Sequence, residues 1–90
     1  MDGQMTPKSA EALALKALEF LANFPDNLDA FLAASGINGY ELRERIEEPA
    51  LLAAVIDFVL RNEQLLTDFC DAASIRPRDV HVAHHVLVDL

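Results

Sequence analysis

The stretch Asp57-Phe58-Val59-Leu60-Arg61-Asn62-Glu63-Gln64-Leu65-Leu66-Thr67-Asp68-Phe69 stands 38 positions after Glu19-Phe20-Leu21-Ala22-Asn23-Phe24-Pro25-Asp26-Asn27-Leu28-Asp29-Ala30-Phe31, and the match between the two decides the fold. Phe20, Leu28 and Phe31 recur as Phe58, Leu66 and Phe69, and the acid Glu19 recurs as Asp57. Further out, Leu13, Ala34 and Ile37 recur as Leu51, Ala72 and Ile75, Glu41 answers Asp79, and Leu42 answers Val80. Most of these are large apolar residues, which set a packing pattern, so the repeat speaks for the fold and is silent on chemistry. Two copies are too few for an open solenoid, which needs about three repeats to bury its faces. The copies are therefore expected to close on each other, with Phe20 and Phe58 in related pockets. On that placement Phe58→Ala is expected to cost roughly 3–5 kcal/mol, the scale of a buried Phe truncation.

Local signals predict six helices and no strands. Thr6-Pro7 is an N-cap followed by a first-turn proline, and Leu13, Ala17, Phe20, Leu21 and Phe24 follow at helical spacing. Pro25 stops this helix, and Asp26 is placed to cap a second, which is expected to bury Leu28, Phe31 and Leu32 and ends at Ser35-Gly36, a left-handed C-cap. Asn38 and Glu41 have capping-box spacing and open a short third helix through Leu42 and Ile46. Pro49 opens a fourth helix through Arg61. Asn62 and Glu63 begin a fifth with Leu65, Leu66, Phe69 and Ala72. Arg76-Pro77 opens the last, with Asp79 near its positive end. The expected architecture is an all-α, six-helix globular domain over residues 6–90, built from three-helix units at about 6–47 and 48–90, after a disordered start at 1–5. Between Leu51 and Leu60 the only charged residue is Asp57. A helix apolar nearly all round belongs in a core; an uncovered side would make it a homodimer face. Asp57 and Arg61, four apart, are expected to form an exposed ion pair.

Ninety residues with 52% hydrophobic and 7% aromatic content allow one modest core rich in Ala and Leu. The formal charge of -8 is shared between the two halves, so there is no acidic tail. It opposes nucleic-acid backbones and anionic membranes, and it suits a partner with a basic surface. Cys70 is the single cysteine, which excludes an intrachain disulfide and fits a reducing cytoplasm. The first apolar stretch is broken by Lys16 and Glu19 and lacks a basic leader. The apolar run from Pro49 to Ile56 is far too short to span a bilayer.

Four constellations could carry chemistry. His81 and His85 share a helix face and could reach one metal ion, with Asp89 as a third ligand one turn on. The repeat aligns His81 with Arg43, His84 with Ile46 and His85 with Glu47, so the three histidines are not expected to converge, and the plainer reading is a set of surface and half-buried imidazoles near a helix C-terminus. Cys70 could serve as a nucleophile with a histidine base, but it aligns with Leu32 and no glycine-rich nucleophile turn accompanies it, so it is expected to be a small buried hydrophobe. Glu44, Glu47 and Glu48 with Arg43 and Arg45 form a charge-laced helix face, either solvated or docking a partner. Finally, Leu32-Ala33-Ala34-Ser35-Gly36-Ile37 with the helix that follows resembles a helix-turn-helix. Its would-be recognition helix, however, would put Glu41, Glu44, Glu47 and Glu48 against phosphates. No Walker loop or dinucleotide fingerprint is present.

The segments Glu11-Ala12-Leu13-Ala14-Leu15-Lys16-Ala17-Leu18-Glu19-Phe20-Leu21, Leu28-Asp29-Ala30-Phe31-Leu32-Ala33-Ala34-Ser35-Gly36 and, most distinctively, Asp57 to Phe69 resemble a family of short alphaproteobacterial helical proteins classed as a domain of unknown function. The resemblance covers roughly residues 8 to 80 and leaves the end from His81 to Leu90 outside it. It implies a stand-alone helical bacterial protein and brings no catalytic residue, cofactor or partner to transfer.

The favoured expectation is a non-catalytic cytoplasmic module presenting an acidic helical surface to a protein partner, without cofactor, nucleic acid or membrane, as a monomer or homodimer. The alternatives are a metal-responsive protein using His81 and His85, and an enzyme centred on Cys70.

Overall fold

Four prolines set where helices begin, because a ring-locked φ suits the first helical position and the missing N–H is not needed there. In the computed structural model, which describes residues 5–90, they open α1 (Pro7–Ala22), α2 (Pro25–Ser35), α4 (Pro49–Leu60) and α6 (Pro77–Val88); α3 (Gly39–Glu44) and α5 (Glu63–Ala73) complete the set. Among the described residues there is no strand. Side-chain caps add to these starts. Thr6 accepts from the Ser9 amide at 3.0 Å, and Asn62 accepts from the Leu65 amide at 3.1 Å. Asn38 and Glu41 form a full capping box, with the Glu41 amide donating to Asn38 and the Asn38 amide donating back to the Glu41 carboxylate.

α1, α4 and α6 pack mutually and form the centre. α1 turns Ala10, Ala14 and Ala17 inward together with Leu13, Leu18 and Leu21; the small side chains let neighbouring helices approach closely while the leucines supply apolar area. α6 contributes Val80, Ala83 and Leu87 on one stripe. α4 buries Leu51, Leu52, Ala53, Val55, Ile56 and Val59, and no residue from Leu51 to Leu60 is exposed, which makes it the core helix its composition predicts. At roughly 1.5–3 kcal/mol for each fully buried large aliphatic side chain, this helix anchors the fold. α2 and α5 pack on the ends of this centre, each against both α1 and α4.

The 38-residue shift carries α2 onto α5 end to end, the end of α1 onto that of α4, and the start of α3 onto that of α6. The third helices are not equivalent. α3 has six residues, none of them buried, whereas α6 has twelve and packs on both α1 and α4. The expected pair of like three-helix units therefore fails at its third member. α3 stops at Glu44, before the expected Ile46, which is exposed.

Three further expectations need correction. Phe24 does not continue α1. It is the N-cap of α2, 48% exposed, and Asp26 lies in the first turn instead of at the cap. Phe20 and Phe58 are only half-buried, while Phe31 and Phe69, each 1% exposed, fill the pockets. The expected disordered start lies outside the described residues except for Met5, which packs against the core.

The Cα radius of gyration, 12.2 Å, is what a single closed domain of this length gives, about 12 Å. No helix among the described residues is long and apolar enough to cross a membrane.

Candidate functional site

The phenylalanines pair across the two halves of the chain. Phe20 of α1 meets Phe69 of α5 with ring centroids 5.6 Å apart and planes at 56°. Phe58 of α4 meets Phe31 of α2 at 5.5 Å and 71°. Each half thus lends its second-helix ring to the first helix of the other. Tilted and edge-to-face geometry at this distance is favourable for aromatic quadrupoles.

Above each pair lies a surface groove. One, of about 300 Å³, is lined by Lys16, Glu19, Phe20 and Asn23 from α1 and its C-cap, and by Phe69, Ala72 and Ala73 from α5. The other, of about 280 Å³, is lined by Ala54, Asp57, Phe58 and Arg61 from α4 and its C-cap, and by Phe31, Ala34 and Ser35 from α2. The 38-residue shift carries every position lining the first groove onto one lining the second.

Their polar chemistry differs. In the α2–α4 groove the Arg61 guanidinium donates from Nε to Asp57 Oδ2 at 2.8 Å, the expected exposed pair, and His84 Nε2 stands 4.0 Å from Asp57 Oδ1. In the α1–α5 groove Glu19 takes the place of Asp57 and Asn23 that of Arg61. Among the described residues no cationic group lies within 4.0 Å of Glu19. This groove continues into a further hollow of about 430 Å³ lined by Phe20, Phe24, Asn27, Asp68, Asp71 and Ala72. Phe24 packs on Phe20 at 5.1 Å and 56°. Together the two hollows form an acidic trough with an aromatic floor and, among the described residues, Lys16 as its one lining cation.

The residues singled out as chemical candidates do not converge. His81 and His85 are exposed on α6, and His84 is half-buried and turned toward Asp57. The His84 and His85 rings lie 6.4 Å apart. Asp89 is the C-cap of α6, so the terminus is helical up to the position proposed as a third ligand. Among the described residues no group of three or more His, Cys, Asp or Glu side chains comes together as metal ligands. Cys70 is a free, buried thiol on α5. Burial pushes its pKa up, and the neighbouring Asp71 and Asp79 add to the shift, which disfavours the nucleophilic thiolate. Arg45 and Glu48 form an exposed pair at 2.9 Å beyond α3.

The trough escaped sequence reasoning because it joins α1 to α5. The 38-residue match says which residues correspond, not which copy touches which. One signal was present: Phe24 directly before Pro25 sits at a helix junction, where an aromatic side chain cannot be covered by its own helix.

The chain belongs to the family described as a protein of unknown function, DUF3572, whose model matches residues 7–89. The match takes in the histidine-bearing end through Asp89, which the narrower resemblance left outside. Comparison with curated proteins and with solved structures finds no match.

Proposed function

We propose that this chain is a small, non-catalytic protein–protein interaction module of the cytoplasm, acting as a monomer or homodimer, and that the acidic trough along α1 and α5 docks a basic segment of a protein partner. One observation carries the reading: Phe24, 48% exposed, and the half-buried Phe20 against which it packs lie in a trough lined by Glu19, Asp68 and Asp71. A contiguous apolar patch rimmed by polar groups marks an interaction surface, and a rim of carboxylates selects what can cover it. The formal charge of -8 extends that preference beyond the trough, favouring a basic protein and opposing nucleic acid and anionic membrane surfaces. The single, unpaired cysteine fits the reducing compartment. No cofactor or metal enters this reading.

Photo-crosslinking tests it. A benzoylphenylalanine placed at Ala72, in the trough wall, should capture a basic protein from native extract. The same probe at Tyr40 on α3 should not. Phe24→Ala should abolish the Ala72 adduct while the helical circular dichroism stays unchanged. No adduct from Ala72, or one that survives Phe24→Ala, overturns the proposal.

A further inference from the structure

The two grooves are an internal comparison, and the comparison names a ligand. In the α2–α4 groove the protein supplies its own guanidinium: Arg61 rests at the groove mouth, bonded to Asp57 at 2.8 Å, beside Phe58. The α1–α5 groove has the same aromatic floor and the matching carboxylate, Glu19, but Asn23 replaces the arginine and Lys16 stands in place of Ala54. We propose that a partner's arginine fills this place, its guanidinium on Glu19 and its methylenes against Phe20. The inference rests on the docking role proposed above and makes it specific.

Charge and shape favour this occupant. Asp68 and Asp71 extend the acidic lining, whereas 38 positions earlier the chain has Ala30 and Ala33. The α2–α4 side thus lacks the acids that would draw in a second cation. Phe24, 48% exposed, offers a ring face on which a planar guanidinium can stack. Arginine also meets a carboxylate with two parallel donors, which a lysine ammonium cannot. Lys16 lines the same groove and opposes any cation, so it should weaken binding. The guanidinium supplied by Arg61 in one groove and wanting in the other is the feature that separates this from a generic acidic surface.

The test uses the full chain, titrated with a short acetylated and amidated peptide carrying one arginine between leucines and followed by amide and methyl NMR. Matched peptides carry citrulline or lysine instead. Saturable shifts should fall on Glu19, Phe20, Phe24 and Ala72 for arginine, with citrulline weaker by about two- to fivefold, the scale of one exposed charge pair. Glu19→Gln should weaken the arginine peptide by a similar factor and leave the citrulline peptide unchanged, and Lys16→Ala should tighten it. Asn23→Arg, which copies the other groove, should close the site and abolish the shifts while the fold is kept. Equal binding of arginine and citrulline peptides, no saturable shift at all, or shifts that survive Asn23→Arg would each overturn the arginine assignment. If the Ala72 crosslink persists in that event, the docking role stands and only the arginine assignment falls.

Discussion

Phe69 of α5 carries the ring of Phe20 at 5.6 Å, yet the two are not equals: Phe69 is 1% exposed, while Phe20 is half-buried at the surface. The same inequality separates Phe31 from Phe58 across the other groove. The inner ring of each pair belongs to α2 or α5 and plugs the core from the end. The outer ring belongs to α1 or α4 and forms the groove floor.

Truncation should therefore rank inner above outer. Phe31→Ala and Phe69→Ala are expected to cost about 3–5 kcal/mol each, since a cavity follows the lost transfer energy. Phe20→Ala and Phe58→Ala are expected to cost less, about 1–3 kcal/mol, because water replaces part of what is removed. Urea unfolding followed by circular dichroism distinguishes the two classes. A Phe58→Ala loss equal to that of Phe31→Ala would contradict the ranking.

Ser74 ends α5 in the left-handed region, at φ 56° and ψ 45°, where Gly36 ends α2 at φ 79°. A left-handed residue other than glycine is strained by about 1–2 kcal/mol. Ser74→Gly should therefore raise stability by about 0.5–1 kcal/mol after the greater unfolded-state entropy of glycine is subtracted. At Gly36 an added Cβ meets open space, so Gly36→Ala should cost only the backbone strain, about 1 kcal/mol. Melting temperatures that move in opposite directions for the two substitutions would bear this out.

These caps show what the sequence made legible. Proline, Asn38 with Glu41, and Gly36 act through their own backbone and near neighbours, so their positions mark helix ends without tertiary knowledge. The core role of α4 was legible because ten residues with one charge leave no polar face. Ser74 was less legible: it stands 38 positions after Gly36, but its Cβ disfavours the left-handed region that glycine enters freely. The burial of Phe69 over Phe20 was not legible: both lie on helical stripes, and only the crossing of α5 over α1 decides which ring is inner. The inequality of α3 and α6 also follows from packing. α6 carries Val80, Ala83 and Leu87 on one stripe, while the counterparts of these three residues in the first half are Leu42, Arg45 and Pro49.

α3 should open long before the rest of the domain. It contributes no buried residue, and its packing on every other helix is slight. A six-residue helix cannot persist on propensity alone, so the capping box holds much of it. Asn38→Ala is expected to speed amide exchange across α3 with a local cost of about 1 kcal/mol. Amides of Leu52 to Val59 in α4 should exchange only through global unfolding, unchanged by the substitution. Uniform protection across α3 and α4 would show that α3 is tied to the core more firmly than its contacts indicate.

Cys70 offers a probe of the core by its reluctance to react. Burial and the charges of Asp71 and Asp79 raise its pKa above the ordinary 9.0, so the folded state favours the neutral thiol. The sign follows from proton counting. Above pH 9.0 the unfolded chain gives up the thiol proton while the folded chain retains it, so the contribution to stability is full below that pH and is lost as pH rises through the folded value. The stability of the wild type should therefore fall relative to Cys70→Val as pH passes 9.0, with the difference between the two constant below it. At neutral pH a thiol reagent should label the native protein at least ~10-fold more slowly than the urea-unfolded chain, since both access and thiolate fraction are reduced. Native labelling as fast as in urea would place the sulfur at the surface and reopen Cys70 as a reactive group.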